Sequence, residues 1–194
     1  MRSRFRVLAL ASACALLLGS CANEFGYGIA DLPASAGWQP LPIGAWVLND
    51  GLEARAMVFC PREVCARPGF AALLAFQGEH GRRMEQALSE DPAGLARSFA
   101  RLAAEKNAER AAERQRSGRK PLPPPPERSL TSYARLDRAD SKGVLVTIRA
   151  KTGARQGVTA ILYGWQGESL LVAVGVSDEA EAAKQDAQAA WRSR

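Results

Sequence analysis

Apolar and polar positions follow different periods along the chain, and these periods predict its secondary structure. In the last third, short segments rich in valine, leucine and isoleucine are separated by polar turns, which is typical of antiparallel strands. The last two segments are apolar on both faces, so we expect helices to cover both sides of the sheet that they form. The four predicted strands are 129–136, 143–150, 157–165 and 169–176.

The front of the chain predicts a strand pair followed by a helix. Segments 43–50 and 52–60 have the length and apolar content of strands, and the Asp50-Gly51 step between them favours a hairpin turn. The next apolar run, over 70–77, predicts a buried helix.

A long helix is predicted after Asp91, because Asp91 suits an N-cap and Pro92 suits the first helical position. Leu95, Phe99 and Leu102 recur at spacings of four and three residues, which predicts a stripe that faces the core. Beyond Leu102 only alanines occupy the apolar side, so we expect the helix to leave the core and continue into solvent.

The resulting basic arm, about 104–128, consists of the part of this helix beyond Leu102 and the proline-rich loop that follows it. Segment 121–126 is PLPPPP, a composition that favours stiff polyproline II structure. Four cations at the end of the helix have no acidic neighbour after Glu113, so they are candidates for contact with an anionic lipid surface, lipopolysaccharide or an acidic envelope protein. A solvated helix followed by a proline-rich spacer is the alternative. The four are Arg114, Arg116, Arg119 and Lys120.

A final helix is predicted from Asp178 and Glu181, which have the spacing of a capping box. Alanines line one of its faces, and Trp191 closes the end. The elements together predict an α+β fold, in which an antiparallel sheet of an N-terminal hairpin plus a four-strand meander is covered by helices. Their order resembles the PsbP-like fold in architecture, without a shared motif.

The first twenty residues predict an export signal that is removed. Arg2, Arg4 and Arg6 form a basic start, and the apolar run 7–18 is too short for a transmembrane helix. Removing 1–20 also halves the formal net charge of +6, because the three arginines are lost, and the remaining charge is too small to predict nucleic-acid binding.

The end of this run, Leu18-Gly19-Ser20-Cys21, resembles the lipobox of bacterial lipoprotein precursors. The resemblance implies that Cys21 becomes the lipidated N-terminus, carrying diacylglycerol and an amide-linked acyl chain such as palmitate. Two or more acyl chains hold a protein stably on a membrane. We therefore predict a lipidated flexible tether over 21–37, a single domain over 38–194, and a position on the periplasmic face of the outer membrane, which Ala22 favours by resemblance to the sorting pattern.

Cys60 and Cys65 are the thiols that remain after the signal is removed, since Cys14 lies within it. An exported compartment is oxidising, and the intervening residues can bring the pair within bridging range, so we predict a disulfide. A redox dithiol and a metal site are weaker alternatives, because the spacing is not Cys-x-x-Cys and only His80 could join the pair as a ligand.

No nucleophile elbow, phosphate-binding loop or zinc-protease motif occurs in the chain. The sequence therefore predicts a lipid-anchored, non-enzymatic structural or interaction module of the envelope that needs no cofactor or metal. A small-ligand-binding or accessory subunit of an envelope transport or secretion complex is the alternative. The oligomeric state stays open.

Overall fold

The computed structural model describes residues 28–41, 52–120, 129–151 and 156–194, and it shows an α+β fold built on a seven-stranded antiparallel sheet. The strands are β1 (Gln39–Pro40), β2 (Leu52–Cys60), β3 (Gly69–Gln77), β4 (Ser129–Arg135), β5 (Lys142–Ala150), β6 (Gln156–Gln166) and β7 (Ser169–Ser177). The helices are α1 (Gly78–Glu90), α2 (Pro92–Arg116) and α3 (Ala180–Arg192), with one 3-10 turn at Ala34–Ala36.

The strands lie in the order β1-β2-β3-β7-β6-β5-β4, so β3 joins the front of the chain to the last third. The predicted α+β class and antiparallel sheet are confirmed, but the predicted hairpin plus four-strand meander does not match the sheet exactly, because β3 lies between β2 and the strands of the last third. Predicted strand 43–50 lies outside the described residues, and β2 pairs along its length with β3. β6 and β7 turn at Gly167, whose φ of 59° is a conformation that glycine adopts without strain.

The helix predicted over 70–77 is wrong, because this run forms β3. Ala71, Leu73 and Ala75 are buried on one face of the strand, and Ala72 is buried on the other. A short apolar run has the same composition in a buried helix and in a central strand. Pairing of β3 with β2 on one side and β7 on the other decides the outcome.

The C-terminal helix α3 covers one face of the sheet through its alanine stripe. Ala183, Ala187 and Ala190 are fully buried against β3, β6 and β7. Gly175 of β7 lies under α3 so closely that a Cβ there would collide with the backbone of Ala183. Small residues on both sides therefore bring the helix onto the sheet.

The opposite face is covered by α1 and by the start of α2. Leu88 of α1 is buried among Tyr163, Leu170 and Val172, and Leu95 of α2 packs against the same cluster. The predicted core-facing stripe fails at Leu102, which is 50% exposed. Its helix has already moved away from the sheet at that point.

The predicted caps have different outcomes. Asp91 is the N-cap of α2, and its Oδ1 accepts a 2.7 Å hydrogen bond from the Gly94 amide, as predicted. Asp178 is not the cap of α3, which begins after Glu179 without a side-chain capping bond. The difference is a shift of one residue at the helix start.

The segment before Trp38 packs against the domain. Ile29 is 2% exposed within the core under α3, and Leu32 and Trp38 pack against the same cluster. Residues 28–37 were predicted to be tether, so the packed region includes more of the chain than 38–194. Within the described part of the chain, no helix has the length and hydropathy needed to span a membrane.

Candidate functional site: a cleft beside Cys60 and Cys65

The structure places Cys60 and Cys65 at disulfide-bonding distance, with their Cα atoms 5.8 Å apart. This separation lies within the range that a disulfide requires. Cys60 ends β2 and Cys65 follows a turn that begins at Pro61, whose carbonyl accepts from the amides of Val64 and Cys65. The pair therefore connects the end of a strand to the loop leading into β3.

The 3-10 turn before β1 packs on this sulfur pair. The Ala36 carbonyl oxygen lies 3.7 Å from Cys60 Sγ and 3.9 Å from Cys65 Sγ. Gly37 follows with a φ of 93°, and a Cβ on it would lie only 2.7 Å from Cys65 Sγ. The glycine is thus required both by the left-handed backbone and by the contact with sulfur.

A cleft of about 470 Å³ opens between this turn, the Cys60–Cys65 loop and α3. Its volume lies in the range of small-molecule sites in proteins. Trp38 contributes an aromatic wall, and Ser177 at the end of β7 and residues of α3 also line the cleft. The charged residues that line it are Asp31, Arg67, Asp186 and Arg192.

Asp186 of α3 contributes a carboxylate to the wall of this cleft. Burial raises the pKa of Asp186 from its ordinary value of 3.8 to about 6, while the positive charge of Arg67 lowers it in part. Among the described residues, the Asp186 carboxylate has no hydrogen-bond donor and no cation within ion-pair distance. It is therefore a partly buried acid without a protein partner in this part of the structure.

The arginines of the cleft already have carboxylate partners. Arg192 Nε donates to Asp31 Oδ2 at 2.7 Å, and Arg67 lies 3.6 Å from Glu179. These two pairs account for both positive charges that line the cleft in the described residues. Asp186 is consequently left without an ion-pair partner among the described residues, and the positive charge of Arg67 offsets its burial only in part.

Asp186 and Trp38 meet above Gly69, the first residue of β3. A Cβ on Gly69 would lie 3.1 Å from Asp186 Oδ2 and 3.1 Å from Trp38 Cη2. The absence of a side chain at Gly69 thus leaves the carboxylate and the indole side by side. Any larger residue would fill the space between them.

The predicted basic tip lies at the end of α2, and its residues do not line this cleft. Every side chain over 104–113 is exposed, which agrees with a helix that continues past the core. Lys106 pairs with Glu109 at 2.8 Å, whereas the tip cations have no carboxylate within 4.0 Å among the described residues. Arg114 Nε instead donates to the Lys120 carbonyl at 3.0 Å, and the Arg119 amide donates to the Arg114 carbonyl.

Other candidate residues are not brought together. Cys21, the predicted lipidation site, and segment 121–126 lie outside the described residues. His80 is exposed near the start of α1, and no group of three or more metal-ligand side chains occurs in the part of the chain that the structure describes. The sulfur pair, the cleft and the basic tip are thus the features available for a functional interpretation.

Sequence reasoning missed Asp186, although a signal was present. Asp186 lies three residues after Ala183 and four before Ala190, so it falls on the alanine face that the prediction assigned to the sheet. An acid within a small-residue stripe is an unusual choice for a buried helix face. That position, more than any motif, marks the site.

Comparison of the chain with protein-family models, with curated proteins and with solved structures finds no match.

Proposed function

We propose that this protein is a lipid-anchored periplasmic envelope lipoprotein that acts as a non-enzymatic interaction module, binding an anionic membrane surface through the tip of α2. The anchor rests on the lipobox resemblance at Leu18-Gly19-Ser20-Cys21 and the basic, short apolar leader before it. The observation that carries the interaction role is the basic tip, whose cations are not neutralised by carboxylates in the described structure.

The arm has the reach that such a contact needs. A helix of 25 residues is roughly 37 Å long, and only its first turns pack on the sheet. Because Ile29 is buried in the domain, at most roughly 25 Å of extended chain separates Cys21 from Gly28. If Cys21 is anchored in the membrane, the domain therefore stays close enough for the tip of α2 to contact the membrane surface.

The expected strength follows from the charge at the tip. Each exposed cation near an anionic membrane contributes about 1 kcal/mol, so four act together as a second, weaker attachment beside the lipid anchor. The contact depends on ionic strength, because charges exposed to water are screened over about 10 Å at 0.1 M salt.

The arm is tested by vesicle binding of the full-length protein purified in detergent, comparing anionic phosphatidylglycerol with neutral phosphatidylcholine vesicles. Replacing all four tip cations, Arg114, Arg116, Arg119 and Lys120, by glutamine is expected to lower anionic-vesicle binding at least tenfold. A matched control replaces four exposed cations elsewhere, Arg62, Arg82, Arg138 and Lys151. Equal losses in both variants would refute a role for the tip.

The anchor is tested separately in cells. Cys21→Ser is expected to leave the precursor without acyl chains and to mislocalise the protein. Incorporation of labelled palmitate measures the first effect, and fractionation measures the second. Unchanged membrane retention of Cys21→Ser would remove the anchor from the proposal.

A second candidate function, a small-ligand-binding accessory subunit, is favoured by one specific observation. The cleft beside Cys60 and Cys65 has the volume of a small-molecule site and contains the Asp186 carboxylate, which has no partner among the described residues. Ligand binding there does not require the arm, since no tip residue is among the described residues that line the cleft.

A further inference from the structure

We infer that the cleft beside Cys60 and Cys65 binds a small molecule through a primary ammonium group, which pairs with the Asp186 carboxylate and lies against the Trp38 indole. This inference deepens the second candidate function, because it names the ligand chemistry of that site. It does not depend on membrane anchoring or on the basic tip.

The charge of the ligand follows from the pairing inside the cleft. The positive charges of Arg67 and Arg192 are already opposed by Glu179 and Asp31 at 3.6 and 2.7 Å. An anionic ligand would have to compete with these carboxylates for the two arginines. A cation, in contrast, finds the Asp186 carboxylate available and gains a charge-assisted hydrogen bond there.

The shape of the cation follows from the neighbouring groups. Asp186 Oδ2 and Trp38 Cη2 both lie 3.1 Å from the position of a Cβ on Gly69, so the space between acid and ring is narrow. A primary ammonium is compact and can donate to a carboxylate while it contacts an aromatic face. A Cβ at Gly69 would contact both groups, so glycine at this position avoids crowding them.

A divalent metal ion fits the site less well. Mg²⁺ and Ca²⁺ bind through several oxygen ligands, usually with more than one carboxylate. Within the described residues no cluster of three acidic, histidine or cysteine side chains is present, and Asp31 is engaged by Arg192. One available carboxylate beside an indole matches an organic cation better than a metal.

Binding is expected to depend on pH, because burial raises the pKa of Asp186 to about 6. The other charged residues that line the cleft are Asp31, Arg67 and Arg192. Below pH 6 most Asp186 side chains are protonated and cannot pair with an ammonium. Affinity should therefore fall about tenfold between pH 8 and pH 5.

The experiment titrates the full-length protein in detergent with n-butylamine, which is protonated at neutral pH, and with its neutral counterpart n-butanol. Amide resonances of Gly69 and Asp186 report the site by nuclear magnetic resonance. Saturable shifts with n-butylamine but not with n-butanol are expected. Equal shifts with both probes, or no saturable shifts with n-butylamine, would overturn the inference.

Two variants separate the site from general charge effects. Asp186→Asn keeps the size of the side chain and is expected to weaken n-butylamine binding at least tenfold. Glu63→Gln removes an exposed carboxylate of the nearby loop that does not line the cleft, and it should leave binding unchanged. Equal weakening in both variants would contradict a specific role for Asp186.

A further comparison distinguishes the source of the ammonium. Short-chain phosphatidylethanolamine carries the same group on a lipid headgroup, whereas n-butylamine represents a free amine. Tighter binding of the lipid, lost in Asp186→Asn, would identify a headgroup; tighter binding of the free amine would identify a soluble ligand. The variant with glutamine at all four tip positions should bind either probe normally. Failure of the membrane proposal and failure of this inference are therefore distinguishable.

Discussion

The indole of Trp191 donates a 2.9 Å hydrogen bond from Nε1 to Asp140 Oδ2, which joins the last turn of α3 to the turn before β5. Arg194 donates to the same carboxylate oxygen at 2.8 Å and stacks over the Trp191 ring, 4.3 Å from its centroid. These hydrogen bonds hold the pKa of Asp140 below its ordinary value of 3.8. Trp191 and Arg194 thereby attach the C-terminal end of α3 to the turn that precedes β5.

Replacing Trp191 should destabilise the domain strongly. Trp191→Ala removes a side chain that is 5% exposed and is expected to lower the free energy of unfolding by about 3–5 kcal/mol. Trp191→Phe keeps an aromatic ring in the core but loses the Nε1–H that donates to Asp140, so it should destabilise the domain less than Trp191→Ala. Urea denaturation followed by circular dichroism measures both, and a larger loss in the phenylalanine variant would contradict the packing argument.

Asp140→Asn should reduce stability in a manner that depends on pH. A carboxylate whose pKa is lowered by folding contributes stability above its unfolded pKa, and this contribution is lost as pH falls below about 4. The melting temperature of Asp140→Asn should therefore lie below that of the wild type at pH 7. The two should converge in acid, and a constant difference at every pH would contradict this linkage.

Asp186→Asn should have the opposite pH dependence. Folding raises the pKa of Asp186 from 3.8 to about 6, so the native state holds its proton more tightly and stability falls as pH rises through this window. The variant should match the wild type near pH 4 and be more stable at pH 7. Thermal melts across this range measure the effect, and a less stable variant at pH 7 would indicate that Asp186 is charged and well compensated.

The Cys60–Cys65 pair should stabilise the local structure modestly. The two residues are five positions apart, and closing so short a loop contributes roughly 2 kcal/mol in the chain-entropy model. A Cys60→Ser, Cys65→Ser double variant is therefore expected to unfold at lower urea. Mass analysis of the native protein after alkylation tests the bond itself, and two alkylated thiols in protein isolated without reductant would exclude it.

Gly175 should be intolerant of a side chain. Gly175→Ala forces a methyl group against the backbone of α3, and we expect a loss of about 1–3 kcal/mol from overpacking. Gly157→Ala is the matched control, because no atom of the described residues lies within 4 Å of a Cβ at that strand position. The two variants can be compared in the same thermal melt. Equal melting temperatures would contradict the close approach of helix and sheet.

Prediction from sequence succeeded where the signal is local. The Asp91 cap of α2 depends on a side chain and an amide three residues apart, so neighbouring residues are sufficient to predict it. The four strands of the last third and the α3 alanine face are likewise properties of short periodic segments. The failure at 70–77 occurred because a short apolar run has no period that separates strand from helix.

The candidate cleft could not be predicted in the same way. Its parts come from the segment before β1, the Cys60–Cys65 loop and α3, which meet only after folding. Asp186 was visible as an acid in an alanine face, but its missing partner and its neighbour Trp38 were not. Partnering depends on distances between residues far apart in the chain.

The sequence by itself determined the predicted export signal and lipobox, the period of each long element and the excess of cations at the tip of α2, because each depends on residues close together along the chain. Only the tertiary structure decided that 70–77 is the central strand β3, that Ile29 belongs to the core, and that Asp186 lies close to Trp38 without an ion-pair partner in the described part of the chain. The physical reason is that strand pairing, burial and charge compensation are set by contacts between distant segments.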